Sequence, residues 1–173
     1  YELSTEKARQ ALPRELPYKD AVYNVSRVGL LPAAMNPMVL AQAAQQGKSG
    51  VAAAPAQDAD TCACAGGTRE SPFADELAAA QAQSNALLFT ATQDKLHQPY
   101  RGTLMPPSTE LIALFRSKGY AAAVSGAGPC VLVLHYGNAR KAIDQIASEQ
   151  LASGHWRVLH LPINTAGVEI ERR

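Results

Sequence analysis

Hydrophobic and polar residues follow two periods along this chain, separated by a stretch that holds few large apolar side chains. The strongest pattern lies in the last third. There Ala121–Val124 and residues 131–135 are short apolar runs of strand length, joined by Ser125-Gly126-Ala127-Gly128-Pro129-Cys130. Ahead of them, Leu111, Leu114 and Phe115 form one stripe at helical spacing. Ser108 stands where a cap is expected, and Gly119 supplies the stop. Asn138 is placed to cap the following helix, with Ile143, Ile146, Ala147 and Leu151 facing inward and Gly154 ending it. Residues 156–161 read as a further strand, and 168–170 as another.

Nearer the beginning, Asp20 is expected to cap a helix running to about Leu31, with Val22, Val25, Val28 and Gly29 on a modest apolar face. Asp75 to Thr92 reads as a second helix, closing on Ala86, Leu87, Phe89 and Thr90. Helix, strand, loop, strand, helix, strand is most of the split β-α-β-β-α-β arrangement. Its first strand is expected at or before Tyr1. The expected class is therefore α+β and ferredoxin-like, an antiparallel sheet with helices on one face.

The poor stretch runs from about residue 42 to 83. It is dominated by Ala, Gln, Gly, Ser and Asp, is broken by Pro55 and Pro72, and has Val51, Phe73 and Leu77 as nearly its only large apolar residues. So little apolar surface does not offset the entropy of ordering, and its middle reads as a flexible insert in an otherwise single domain. Ala and Gln favour helix, so its ends are expected to extend helices. The chain opens on Tyr1-Glu2-Leu3-Ser4, without a basic, apolar leader, and reads as the carboxyl-terminal part of something longer.

Composition narrows the function. At 173 residues with a formal net charge of +1, the chain lacks the basic excess of a nucleic-acid binder. No apolar run reaches membrane-spanning length. Three cysteines make no secreted disulfide framework. A soluble cytoplasmic protein is expected. Cys62-Ala63-Cys64 is too closely spaced for a zinc site, Cys130 is expected to be buried, and His135, His155 and His160 are dispersed, so no metal site is expected.

Three constellations could carry chemistry. Ser125-Gly126-Ala127-Gly128-Pro129 is either a hairpin turn or a nest of backbone N–H groups for an anion. Asp94-Lys95-Leu96-His97-Gln98-Pro99-Tyr100-Arg101 is a dense polar corner pinned by Pro99, where Arg101 could grip a carboxylate with two parallel bonds. The alternative is a solvated helix end. Asn24 and Arg27, three apart on one helix face, are either a wet surface or part of a site.

The order of these segments carries more than any one of them. Leu3-Ser4-Thr5-Glu6-Lys7-Ala8-Arg9, Leu12-Pro13, the polar corner through Arg101, Leu104-Met105-Pro106, Ala123 to Pro129 and Asn164-Thr165-Ala166-Gly167-Val168 together resemble the carboxyl-terminal domain of the homoserine kinases. These belong to the galactokinase, homoserine kinase, mevalonate kinase and phosphomevalonate kinase superfamily. The resemblance spans nearly the whole chain except the insert. It implies ATP-dependent phosphorylation of the hydroxyl of L-homoserine for threonine biosynthesis, with ATP and Mg2+ bound mainly by an amino-terminal domain that is missing here. The isolated chain is then expected to be inactive. By the same resemblance Arg101 holds the homoserine carboxylate, Arg27 and Asn24 add substrate contacts, and Ser125, Gly126, Ala127 and Gly128 approach the transferring phosphate or the substrate. Cys130 departs from the Thr or Ser usual in that loop. No catalytic base is assigned; Asp94 is a candidate by chemistry alone. A homodimer is compatible with the resemblance. The competing readings are another small-alcohol kinase of the superfamily, or a regulatory domain that binds an amino acid without catalysis.

Overall fold

A computed structural model describes residues 3–38 and 72–161. The middle of the expected insert and the expected strand at 168–170 lie outside the described residues. The chain divides into two compact units, Tyr1–Gly137 and Asn138–Arg173.

In the first unit, α1 (Thr5–Gln10), α2 (Tyr18–Val28) and α3 (Leu31–Ala34) precede the long α4 (Pro72–Ala91). Then come α5 (Gln98–Arg101), a 3-10 turn (Gly102–Leu104) and α6 (Pro106–Ser117). A hairpin of β1 (Ala121–Val124) and β2 (Val131–Leu134) follows. The strands pair antiparallel, from Ala121 opposite Leu134 to Val124 opposite Val131. The class is α+β, as expected, and the hairpin is the sheet that the described residues form.

Small side chains make up much of the core. Ala34, Leu88 and Ala121 are packed together, with Leu87, Phe89, Leu134 and Tyr136 around them. Alanine at such positions lets a helix approach a strand closely, while each buried leucine or phenylalanine adds about 1.5–3 kcal/mol. Asn85 on α4 extends the hairpin's hydrogen bonding past the end of β2. Its Oδ1 accepts from the Tyr136 N–H at 2.8 Å, and its Nδ2 donates to the Tyr136 carbonyl at 3.1 Å.

Helix α6 matches its sequence pattern closely. Leu111, Ile112 and Phe115 are buried. Gly119 takes φ +83°, where a side chain would be strained. Its N–H bonds to the Arg116 carbonyl at 3.0 Å, and the Tyr120 N–H bonds back to Phe115 at 3.1 Å. Phe115 and Tyr120 meet edge to face at 6.3 Å. Both bonds and the apolar contact of a Schellman stop are present. Arg116 donates to the carbonyls of Phe89 at 2.7 Å and Ala122 at 3.0 Å, tying the end of α4 to β1.

Three expectations are corrected. Ser108 does not cap α6, which begins two residues earlier at Pro106. Pro106 and Pro107 carry no N–H, so they suit a first turn whose N–H groups have no intrahelical acceptor. Asp20 is not a cap either: Pro17 precedes α2, and Asp20 lies in its first turn, 3.6 Å from Lys95. The apolar face expected on α2 points outward, with Val22, Val25 and Val28 at 48%, 73% and 61% exposure. Its other face turns inward because Tyr23 and Asn24 find hydrogen-bond partners at Gln93 and Asp94.

In the second unit, the helix expected after Asn138 is two short ones, α7 (Arg140–Ile146) and α8 (Ser148–Ala152), meeting at the buried Ala147. Ala139, not Asn138, precedes the first helical residue. Gly154 follows α8 with φ +75°, as expected of a helix stop. Residues 156–161 form no strand among the described residues. A strand exists only through its ladder, and no described residue pairs with this run.

Candidate functional site

The glycine loop is a hairpin connection, and two of its N–H groups are left without an acceptor among the described residues. The Ser125 N–H bonds to the Cys130 carbonyl at 2.8 Å, and the Gly128 N–H to the Ser125 carbonyl at 3.1 Å. Gly126 and Gly128 take φ +63° and +89°, conformations that favour glycine. The N–H groups of Gly126 and Ala127 make no hydrogen bond among the described residues. Adjacent free N–H groups in such a turn converge on one point, the arrangement that binds phosphate or carboxylate oxygens.

Arg101 stands at the loop's flank. Its Nη1 donates to the Gly126 carbonyl at 3.3 Å and its Nε to the Ala8 carbonyl of α1 at 3.2 Å. A guanidinium has five donors, so its outer edge, including Nη2, is left for a ligand. The structure thus brings Arg101 onto the loop at Gly126. The loop is fastened from behind as well. Gln98 Oε1 accepts from the Val124 N–H at 3.2 Å, and Ser108 Oγ donates to the Pro129 carbonyl at 2.6 Å.

Asp94 organises the other end of the corner. Oδ1 accepts from Asn24 Nδ2 at 2.5 Å and the Leu96 N–H at 3.0 Å. Oδ2 accepts from the N–H groups of His97 at 2.8 Å and Gln98 at 2.5 Å. Burial works to raise the Asp94 pKa, but the Gln98, Asn24, Leu96 and His97 hydrogen bonds outweigh it, and the carboxyl lies below its ordinary value. Both oxygens are engaged, so this is a holding group, poorly suited to take a proton from a substrate.

Asn24 is committed to that corner, since its Oδ1 also accepts from the Lys95 N–H at 2.9 Å. Arg27 and Lys95 lie on the Tyr23 ring, each 4.3 Å from its centroid. Arg27 Nε is buried with no hydrogen-bond acceptor among the described residues. A shallow groove of about 440 Å3 adjoins the corner, with Tyr23, Lys95 and Gln98 at its edge and Ile112, Ala122 and Val124 among its lining.

Cys130 is exposed rather than buried; it stands one residue ahead of β2, beyond the packed part of the hairpin. His160 pairs with Asp144 at 2.9 Å in the second unit. Among the described residues no three His, Cys, Asp or Glu side chains converge as metal ligands, and no helix is long and apolar enough to cross a membrane. Cys62 and Cys64 lie outside the described residues. Sequence reasoning overlooked Gln98, Met105 and Ser108 as partners of the loop. Their spacing gave no signal for it, because the non-helical Met105 separates α5 and the 3-10 turn from α6.

Residues 73–152 match the family described as GHMP kinases C terminal. Homoserine kinase of Leifsonia xyli is 33% identical over 98% of this chain and 38% of its own length. That of Clavibacter michiganensis is 30% identical over 98% of this chain and 39% of its own length. The homoserine kinase of Saccharomyces cerevisiae is 27% identical, again over 98% of this chain. A solved homoserine kinase from Cytophaga hutchinsonii shares the fold, with a TM-score of 0.52 over 90% of this chain and 36% of that structure at 17% identity. The chain spans less than two-fifths of the length of the curated relatives it matches. Residues 73–152 are thus similar to the C-terminal domain of the GHMP kinases, and along almost all of its length the chain is similar to homoserine kinases.

Proposed function

We propose that this chain is the substrate-side part of an ATP-dependent homoserine kinase, a cytoplasmic enzyme that converts L-homoserine to O-phosphohomoserine. The observation that carries the reading is the bond from Arg101 to Gly126, which puts a cation with a free edge beside the free N–H groups of the glycine loop. An amino acid bearing a carboxylate at one end and a phosphorylated hydroxyl at the other matches those two features. Arg101 grips the carboxylate through its outer edge. Arg27, whose Nε lacks an acceptor, is the second carboxylate contact. Asn24 serves the site by fixing Asp94 and the Lys95 N–H.

The loop N–H groups of Gly126 and Ala127 stabilise charge on the transferring phosphoryl oxygens, which is where catalysis of this reaction is won. ATP supplies the phosphoryl group. The nucleotide and Mg2+ are held mainly by the enzyme's amino-terminal domain, as the resemblance to the superfamily implies.

ADP release by the full-length enzyme tests the reading, with L-homoserine, mevalonate and no acceptor compared. Turnover that requires homoserine is expected, and none from this chain alone. Turnover with mevalonate instead would move the enzyme elsewhere in the superfamily. Absence of turnover with every acceptor, together with saturable amino-acid binding by the chain, would make it a regulatory domain.

A further inference from the structure

One short stretch of chain meets the glycine loop step by step. Gln98 and Arg101 lie on α5, Met105 at the non-helical break (φ −141°, ψ 59°) between the 3-10 turn and α6, and Ser108 in the first turn of α6. Their partners climb the loop in the same order. Gln98 holds the Val124 N–H, and Arg101 the Gly126 carbonyl. Met105 fills the space a Cβ on Gly128 would need, its Sδ and Cε 2.6 Å from that point. Ser108 holds the Pro129 carbonyl. Met105 and Ser108 are 0% and 2% exposed, so the surface behind the loop is dry.

We infer that this stretch is a template for the loop, with Gln98, Met105 and Ser108 as positioning residues for the N–H groups of Gly126 and Ala127. A turn with two glycines has more conformational freedom than one built of residues with side chains. Left alone it would sample many turns, and donors must be fixed beforehand to stabilise charge without reorganising. The stretch removes that freedom from one side only. It engages the Gly126 and Pro129 carbonyls from behind and leaves the Gly126 and Ala127 donors open. Gln98 links the template to the corner, because its own N–H is held by Asp94. Met105 also crowds the place of a side chain at position 128, where φ +89° already favours glycine.

What the loop does rests on the kinase reading; how it is held does not. The test therefore has two readouts on the full-length protein: amide hydrogen exchange, and steady-state kinetics with homoserine. In Ser108→Ala, exchange of the hydrogen-bonded loop amides of Ser125 and Gly128 is expected to quicken about tenfold while amides of α4 keep their rate, as fits loss of one hydrogen bond to a buried carbonyl. In the same variant kcat falls about tenfold with the homoserine KM unchanged, the mark of an interaction used in the transition state. Met105→Ala should also quicken the loop amides, and Met105→Leu, which keeps the volume, should restore them. Loop exchange unchanged in both Ser108→Ala and Met105→Ala overturns the template, whatever the kinetics. Faster exchange with full kcat overturns the positioning role. Selective loop loosening in an enzyme that ignores homoserine upholds the template and sinks the kinase reading instead.

Discussion

The two ends of the 94–101 corner are both polar, and they have opposite character. Around Asp94 the hydrogen bonding is closed: two donors reach each carboxylate oxygen, and Asn24 is used on both its atoms. Around Arg101 it is open, with the guanidinium anchored by two bonds and its outer edge free. The adjacent Gly126 and Ala127 N–H groups have no partner among the described residues either. Both ends look alike as a string of polar residues. The difference teaches that a dense polar motif contains scaffold and site together, and that unused donors distinguish one from the other.

Substitutions should separate the two ends. The largest effect is expected from Gly128→Val at the open end. Its Cβ would lie 2.6 Å from Met105 in a backbone of φ +89°. Strain and overpacking together cost about 3–5 kcal/mol, so urea denaturation should show a strongly destabilised protein with little turnover. A stable, active Gly128→Val enzyme would return the loop to an ordinary turn.

Next comes the closed end. Asp94→Ala strands the Asn24 amide and the corner N–H groups, and about 2–4 kcal/mol of stability should be lost. The pH dependence has a fixed sign. Because folding lowers the Asp94 pKa, its contribution is complete above the ordinary value of 3.8 and fades as pH falls through the folded-state pKa. Denaturation at pH 6 and near pH 3 should therefore show the gap between wild type and Asp94→Asn narrowing in acid. A gap that widens in acid would contradict the closed cluster.

At the open end, Arg101→Lys keeps the charge but loses the planar fork. The homoserine KM should rise about tenfold or more, and kcat should fall as well, because the Gly126 tether is weakened together with the carboxylate grip. An effect confined to the ATP KM would remove Arg101 from the acceptor side. The smallest effect is expected far from both ends, on the outward face of α2. Val25 is 73% exposed, so Val25→Ser should change stability by no more than about 0.5 kcal/mol. A large loss would show that this face is covered in the full-length protein.

The contrast also explains which parts of the fold could be read from sequence. Helix α6, its Gly119 stop and the hairpin are set by signals a few residues apart, and each formed where its pattern lies. Helix α2 formed with its faces reversed, because the groups that attract Tyr23 and Asn24 lie about 70 residues further on. Valine spacing cannot register a partner at that distance. Ser108 was legible as a helix-start residue, yet its hydroxyl serves the Pro129 carbonyl, 21 residues away. In the candidate site, Arg101 and the glycine loop were visible as separate motifs. Their contact was not, since it depends on how α5 packs against the hairpin.

The single guanidinium of Arg101 spans the Ala8 carbonyl and the Gly126 carbonyl. Under the proposed function it spans the acceptor's carboxylate too, which ties the choice of acceptor to the machinery of transfer. An engineer who swaps Arg101 to admit an alcohol without a carboxylate also unfastens the loop. Retargeting would have to begin with a replacement tether for Gly126 and only then reshape the pocket. The same constraint would slow natural drift in specificity, because the first step toward a new acceptor passes through a weakened catalyst for every acceptor.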